Sequence, residues 1–282
     1  MLLIVGWIIV LGCVGGGFMM SGGAPAMVLH ASEIIIIAGA AFGAFVASAT
    51  GHGLKHAIKN AVHAFTGKPP GKTEYLELLA LMYGLFSKMN REGVISIEKD
   101  IENPSASPMF QRYSKIAKDK NACLFIGDTL RIYLTTGNAG ELEQLMGVDM
   151  ETMHAEELHP AHAIERMAES LPGMGIVAAV LGVVLTMSKI NAGPEVLGNS
   201  IAAALAGTFI GILLCYGFVG PIAAKMEALA ADREAFFRAI KEAVGAAVRG
   251  SSPIVAAEYG RRAIPLAFRP TFLEMEQSLK SG

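Results

Sequence analysis

Long apolar stretches alternate with blocks in which hydrophobic residues recur at helical spacing among charges. Met1 to Met20 is apolar throughout and Ile34 to Gly51 is a second such run. A helix rising about 1.5 Å per residue needs roughly 20 apolar residues to cross a bilayer. "SGGAPAMVLHASE" joins the two, so the pattern predicts a helical hairpin. Pro172 to Met187 and Ser200 to Ala224, joined by the polar "SKINAGPEVLGN", predict a second hairpin. The first run lacks a basic flank and is read as a retained helix rather than a cleaved leader.

The blocks between and after the hairpins also carry a helical pattern. Residues 74–90, "SIEKDIE", residues 121–137 and the stretch running into Pro172 predict cytoplasmic helices. Asn103-Pro104 ends the second of these, because the residue before proline avoids the α region. A tail helix from Ala223 to about Arg249 continues the fourth span. The expected fold is all-α, a polytopic membrane protein with four transmembrane helices in two hairpins. Its segments are 1–51 (helices 1 and 2), 52–171 (a cytoplasmic helical domain), 172–224 (helices 3 and 4) and 225–282 (a cytoplasmic helix and tail).

Composition agrees with that division. The chain is 52% hydrophobic and 17% charged, against about 25% charged in soluble domains. Its mean hydropathy is +0.46. A net charge of −2 gives no electrostatic case for nucleic acid. Thirteen Lys and Arg lie between residues 52 and 171 and nine after 221, while the two short connections hold only Lys189. The positive-inside rule therefore puts the large block, the tail and both termini in the cytoplasm. Cys13, Cys123 and Cys215 are far apart and predict no disulfide framework.

The spans hold no Asp, Glu, Lys or Arg at mid-membrane depth, so a titratable ion site would have to come from a partner. Thr186 and Thr208 either bond back to their own helices or line a water-filled path. Pro172 reads as a helix-starting residue, and Pro221 as a kink or hinge near the end of the fourth span. Gly-x-x-x-Gly pairs at 12/16, 39/43 and 207/211 allow close helix packing, within one chain or between copies. His52/His56 and His159/His162 have helical spacing, but no nearby carboxylate or cysteine completes a metal set, and they read as solvated or capping residues. Neither "GHG" nor "GTFIG" has the lysine of a phosphate loop. No catalytic residues, metal or cofactor are expected. "REGVISIEKDIENP" (91–104) is distinctive: Glu98 and Glu102 share one face, Ile97 and Ile101 point inward, and Lys88, Arg91, Lys99 and Asp100 surround them. It is either a solvated helix face or a docking surface for a charged partner.

"GVISIEKDIENP", "LPGMGIVAAVLGVV", "AGTFIGILLCYGFVGPIA" and "EYGRRAIPLAFRPTFLEME" resemble the signature segments of the MotA family of flagellar motor stator subunits, within the MotA/TolQ/ExbB superfamily. The resemblance covers nearly the whole chain. It implies a ring, five copies in the family, around a MotB-like single-span, peptidoglycan-binding subunit that carries the protonatable Asp. Ion flow then drives torque on the rotor protein FliG. By position Glu98 matches the family's rotor-facing Glu. The family's Arg usually stands three residues before the motif's Gly, where this chain has Asn90; Arg91 and Lys88 lie on either side. Pro172 and Pro221 match prolines linked to ion flow, and Thr208 matches a channel-facing Thr. Sodium-driven relatives carry a second Thr where this chain has Ala179, so the resemblance favours protons. An ExbB- or TolQ-like energiser, typically with three spans, and a passive membrane scaffold are the competing expectations.

Overall fold

The apolar periodicity and the caps between its segments set the helices. The computed structural model describes residues 2–191 and 193–281. Ala192, in the connection expected at 188–199, lies outside the described residues, as do Met1 and Gly282. The described residues are helical, with no β-strand among them. In chain order the helices are α1 (Leu2–Met20), α2 (Ala31–Ser48), α3 (Gly51–Thr66), α4 (Lys72–Glu92), α5 (Glu98–Glu102), α6 (Pro108–Gln111), α7 (Ser114–Lys118), α8 (Lys120–Thr136), α9 (Ala139–Met187), α10 (Pro194–Leu213), α11 (Gly220–Val248), α12 (Pro253–Ala263) and α13 (Phe272–Ser281). A π-helical turn, Leu214–Val219, joins α10 to α11. Four helical segments, Leu2–Met20, Ala31–Ser48, Ala139–Met187 and Pro194–Val248, are long and apolar enough to cross a membrane.

The helices accommodate their prolines in two ways, and at Pro172 the outcome differs from the sequence expectation. Pro172 does not begin a helix: α9 runs unbroken for 49 residues with Pro160 and Pro172 inside it. Each proline removes one amide donor and crowds the carbonyl four residues back, here that of Glu156 or Ala168. The helix nevertheless continues through both positions. At Pro221 the ladder changes pitch ahead of the ring. The Gly220 amide donates to the Cys215 carbonyl, five residues back, at the end of the π turn. A π turn widens the helix by one residue per turn and accommodates the missing donor.

The chain divides into two packed units, residues 1–67 with 156–229, and residues 68–155 with 230–282. The boundaries at 67/68 and 155/156 fall inside the 52–171 block expected from the sequence, and the one at 229/230 inside the 225–282 segment. In the first unit, α2 buries Ile37, Ala41 and Phe45 at intervals of four, one face of a helix. Ile37 and Ala41 pack with Ala168, Leu171, Ala178 and Ile210. No residue of α1 is buried.

The second unit has an aromatic core. Tyr75 packs on Phe236 (ring centroids 5.5 Å) and Phe125 on Phe237 (5.3 Å, edge to face), with Leu78, Met82 and Ile240 around them. The Arg233 guanidinium lies 4.6 Å from the Phe237 ring centre and forms a forked pair with Asp119, which also caps α8 by accepting from the Ala122 amide. Burial opposes the Asp119 charge, but the Arg233 hydrogen bonds and charge and the Ala122 and Asn121 amides outweigh it and hold the carboxyl below its ordinary range. The segment "RPTFLEME" is structural here. Arg269 donates to the carbonyls of Ile264 and Arg262, and Glu274 accepts from the Thr271 amide and hydroxyl and pairs with Lys72 at 2.6 Å.

Candidate functional site: a fixed charged platform and a glycine-packed helix crossing

The charged segment that stood out in the sequence lies in the second unit. α4 ends at Gly93, whose φ of +89° suits a residue without a Cβ. Ser96 Oγ then donates to the Gly93 carbonyl at 2.6 Å, folding Val94–Ile97 into a 3₁₀ turn that leads into α5. Ile97 and Ile101 are buried and anchor α5, while Glu98 and Glu102 are exposed, as their four-residue spacing predicts. α8 comes close to α5: a Cβ on Gly127 would stand 2.9 Å from the Ile101 carbonyl oxygen.

Asp100 is the residue that sequence reasoning missed. It counted there as one more surface charge, yet it is only 8% exposed. Both carboxylate oxygens are used: Lys88 Nζ stands 2.7 Å from Oδ2, and Ser107 Oγ donates to Oδ1 at 2.6 Å. Ser107 also caps α6 by accepting from the Met109 amide at 3.2 Å. One carboxylate therefore ties the last turns of α4 to α5 and to the start of α6, and a buried charge bonded this fully resists displacement. The sequence signal was available in part, since Asp100 lies on the same side of α5 as Ile97 and Ile101.

This separates the three candidate interface residues. Lys88 has its ammonium committed to Asp100. Arg91 and Glu98 are exposed, and neither side chain has an ion-pair or hydrogen-bond partner among the described residues. The arrangement holds a lone carboxylate on a rigid support with a lone guanidinium in the turn before it.

The span residues lie in the first unit, where α9 and α10 cross at glycines. A Cβ on Gly175 would stand 2.9 Å from the Gly207 carbonyl oxygen and 3.2 Å from Thr208 Cα. One on Gly211 would stand 2.6 Å from the Leu171 carbonyl oxygen, and one on Gly182 would stand 2.7 Å from Ala204 Cβ. The 207/211 pair thus packs within the chain, whereas Cβ atoms at Gly12, Gly16, Gly39 and Gly43 would meet nothing within 4 Å. Ala179 borders this crossing, its amide nitrogen 3.5 Å from a Cβ placed on Gly207. Pro172 follows Leu171 on the same helix, and Pro221 follows the π turn at the C-terminal end of α10, the end that carries Gly211. Of the two hydroxyl candidates, Thr186 is buried and donates back to the Gly182 carbonyl at 2.8 Å. Thr208 is half-buried, with no side-chain hydrogen bond among the described residues.

The histidines behave differently from one another. The His52 and His56 rings lie 6.0 Å apart on α3. His162 is met by Glu165 of α9 and Glu227 of α11, with ligand atoms within 4.8 Å of one another. Glu165 stands one turn on from His162 in the same helix, but Glu227 comes from a distant part of the chain, which is why spacing alone completed no set there. His162 Nε2 stands 3.7 Å from Glu227 Oε1, an ion pair when the imidazole is protonated, with both side chains well exposed.

Comparison with known proteins decides the family. Residues 4–93 match the motility protein A N-terminal family, and residues 124–239 match the MotA/TolQ/ExbB proton channel family. The chain is 36% identical to motility protein A of Escherichia coli (strain K12) over 282 residues, covering 100% of this chain and 96% of that protein. The chain belongs to the motility protein A family. It is a flagellar stator subunit of the motility protein A kind, a membrane protein and not an enzyme. The fold is also that of C. jejuni MotAB (TM-score 0.77, 20% identity, 94% of this chain and 95% of that one). It matches the flagellar MotAB stator complex from Bacillus subtilis as well (TM-score 0.74, 19% identity, 99% and 98%). The exposed Glu98 and the glycine crossing beside Thr208 are the two places that the geometry marks out.

Proposed function

We propose that this chain is the torque-generating half of a proton-driven stator, seated in the bacterial inner membrane by four spans with both termini in the cytoplasm. Several copies, five in this reading, surround a MotB-like, peptidoglycan-anchored subunit that brings the ion-binding Asp. Proton passage past Thr208 and Ala179 shifts the α9–α10 crossing, with Pro172 and the π turn before Pro221 as the places where the helices yield. The movement reaches the rotor protein FliG through Glu98, with Arg91 rather than Lys88 as the available cation.

The observation that carries this reading is the contrast between Glu98 and Asp100. Two residues apart, one carboxylate is exposed and unpaired while the other is buried and bonded by Lys88 and Ser107. Transmitting force through a surface charge requires that its support not yield, and Asp100 supplies the support. The spans themselves lack an acidic residue at mid-depth, so the protonatable group belongs to the partner.

The test is complementation in a strain lacking this chain and any redundant stator. The reading expects loss of swimming, recovery with the intact gene, collapse of speed under a protonophore, and indifference to sodium. Full motility without the chain contradicts the stator role in the cell. Loss of speed on sodium removal contradicts protons as the coupling ion.

A further inference from the structure

We propose that the outward face of α3 is a docking surface for anionic phospholipid headgroups at the membrane boundary. The proposal rests on the membrane placement of α1 and α2, and is independent of any rotor contact. Two residues separate α3 from Ser48, the end of α2: Ala49 is extended and Thr50 caps the new helix by accepting from the Gly53 amide at 3.1 Å. Its inner face, Ala57 and Ala64, packs with Phe45 from the last turn of α2. Leu3 from the first turn of α1 joins the same cluster, and Phe65 meets Trp7 of α1 at a ring separation of 5.3 Å. α1 and α2 form a hairpin, so the start of one and the end of the other lie on the same side of the membrane. α3 is packed against both ends, at the level where the hydrocarbon gives way to headgroups.

The outward face has the chemistry for that level. Lys55 and Lys59 are exposed, and neither has an ion-pair partner among the described residues. No Asp or Glu occurs between Glu33 and Glu74, so nothing on this element offsets their charge. Ile58 (44% exposed) and Val62 (63%) lie among them. Aliphatic side chains beside flexible ammonium groups are poorly matched to water alone. At a bilayer boundary the aliphatic groups reach the acyl edge, and the lysine stems carry the charge out to phosphate. The uncompensated positive charge selects lipids of net negative charge, of the phosphatidylglycerol kind, over zwitterionic ones.

The chain carries its own probe. Trp7 is its single tryptophan and touches α3 through Phe65. The purified full-length chain, with its single-span partner, where that partner's tryptophans are replaced, is reconstituted in bilayers containing brominated phosphatidylglycerol or brominated phosphatidylcholine. Trp7 quenching then gives the relative affinity for the two lipids. The expected result is a preference for the anionic lipid that falls about five-fold for each lysine removed in Lys55→Gln and Lys59→Gln, and that shrinks with added salt. Quenching by the zwitterionic lipid stays unchanged in the variants, which verifies that they are folded and inserted. Equal quenching by both lipids in the native chain overturns the proposal, as does a preference that survives the double substitution. Quenching by neither lipid overturns the membrane placement and the proposal with it.

Discussion

The two units bury their hydrophobic residues in opposite ways. In the second, Tyr75, Leu78, Phe125, Phe236 and Phe237 are each at most 4% exposed, and its charges are largely at the surface. In the first, Ile8, Val184, Leu185 and Leu205 are each more than 60% exposed, and the closest contacts are between backbones at glycine. The second unit is built for water, where removing apolar area from solvent is the main gain. The first is built for lipid, where hydrocarbon outside is no worse than hydrocarbon inside and helices associate through close dispersion contact. The same residue type therefore has a different meaning in each. A glycine is critical at the α9–α10 crossing and dispensable on the open faces of α1 and α2 within a single chain.

The largest effect that sharpens this comparison is expected at Gly211. In Gly211→Val, the first added carbon meets a backbone oxygen that no rotamer change can move away. A loss of about 3 kcal/mol or more is expected, read as a drop in melting temperature and in yield of the detergent-purified complex. Gly16→Ala meets nothing within the chain and should leave the melting of the isolated chain unchanged; a large drop there would break the contrast.

Next is Asp100→Ala. It leaves the Lys88 ammonium and the Ser107 hydroxyl without their partner in a largely enclosed site, at a cost of about 2–3 kcal/mol. Denaturant unfolding of the second unit measures it, and Asp100→Asn should recover part of the loss by keeping an acceptor for Ser107. A cost near zero would mean that α5 is not fixed by this carboxylate.

The Tyr75 hydroxyl gives a pH-dependent effect of about 2–3 kcal/mol at most. Burial, and then the negative charge of Asp232, push the phenol up to about 12. An unfolded tyrosine ionises near 10. Stability from this group is complete below about pH 10 and is lost as pH rises from there towards 12, because only the unfolded chain releases the proton easily. Tyr75→Phe should remove that alkaline slope from the unfolding profile. The smallest change in stability, under about 0.5 kcal/mol, is expected for Glu98→Lys, whose side chain touches nothing that folds the chain.

Much of this organisation was legible in the sequence, for reasons that differ by region. The spans were readable because length and apolar content alone set them. Glu98 was readable because Ile97 and Ile101 fix the inward side of a short helix. Asp100 was not, because its burial depends on Lys88 and Ser107, twelve and seven residues away in sequence. Pro172 was misread as a helix start because local rules describe the bond it removes and not the long helix that tolerates the loss. Gly175 and Gly182 went unremarked because close approach needs a partner helix, which only tertiary structure supplies. The 207/211 pair was visible, but whether it faced its own chain or another copy was open until the crossing with α9 was seen.

The central claim is that Glu98 is a force-bearing surface charge on a support fixed by Asp100. Stall torque of single stator units in Glu98→Lys tests it most directly, measured from steps of a tethered bead as units join the motor. Torque per unit should fall several-fold while the rate at which units join stays normal, and reversing a basic charge on the rotor should restore it. Unchanged torque per unit in Glu98→Lys would contradict the claim.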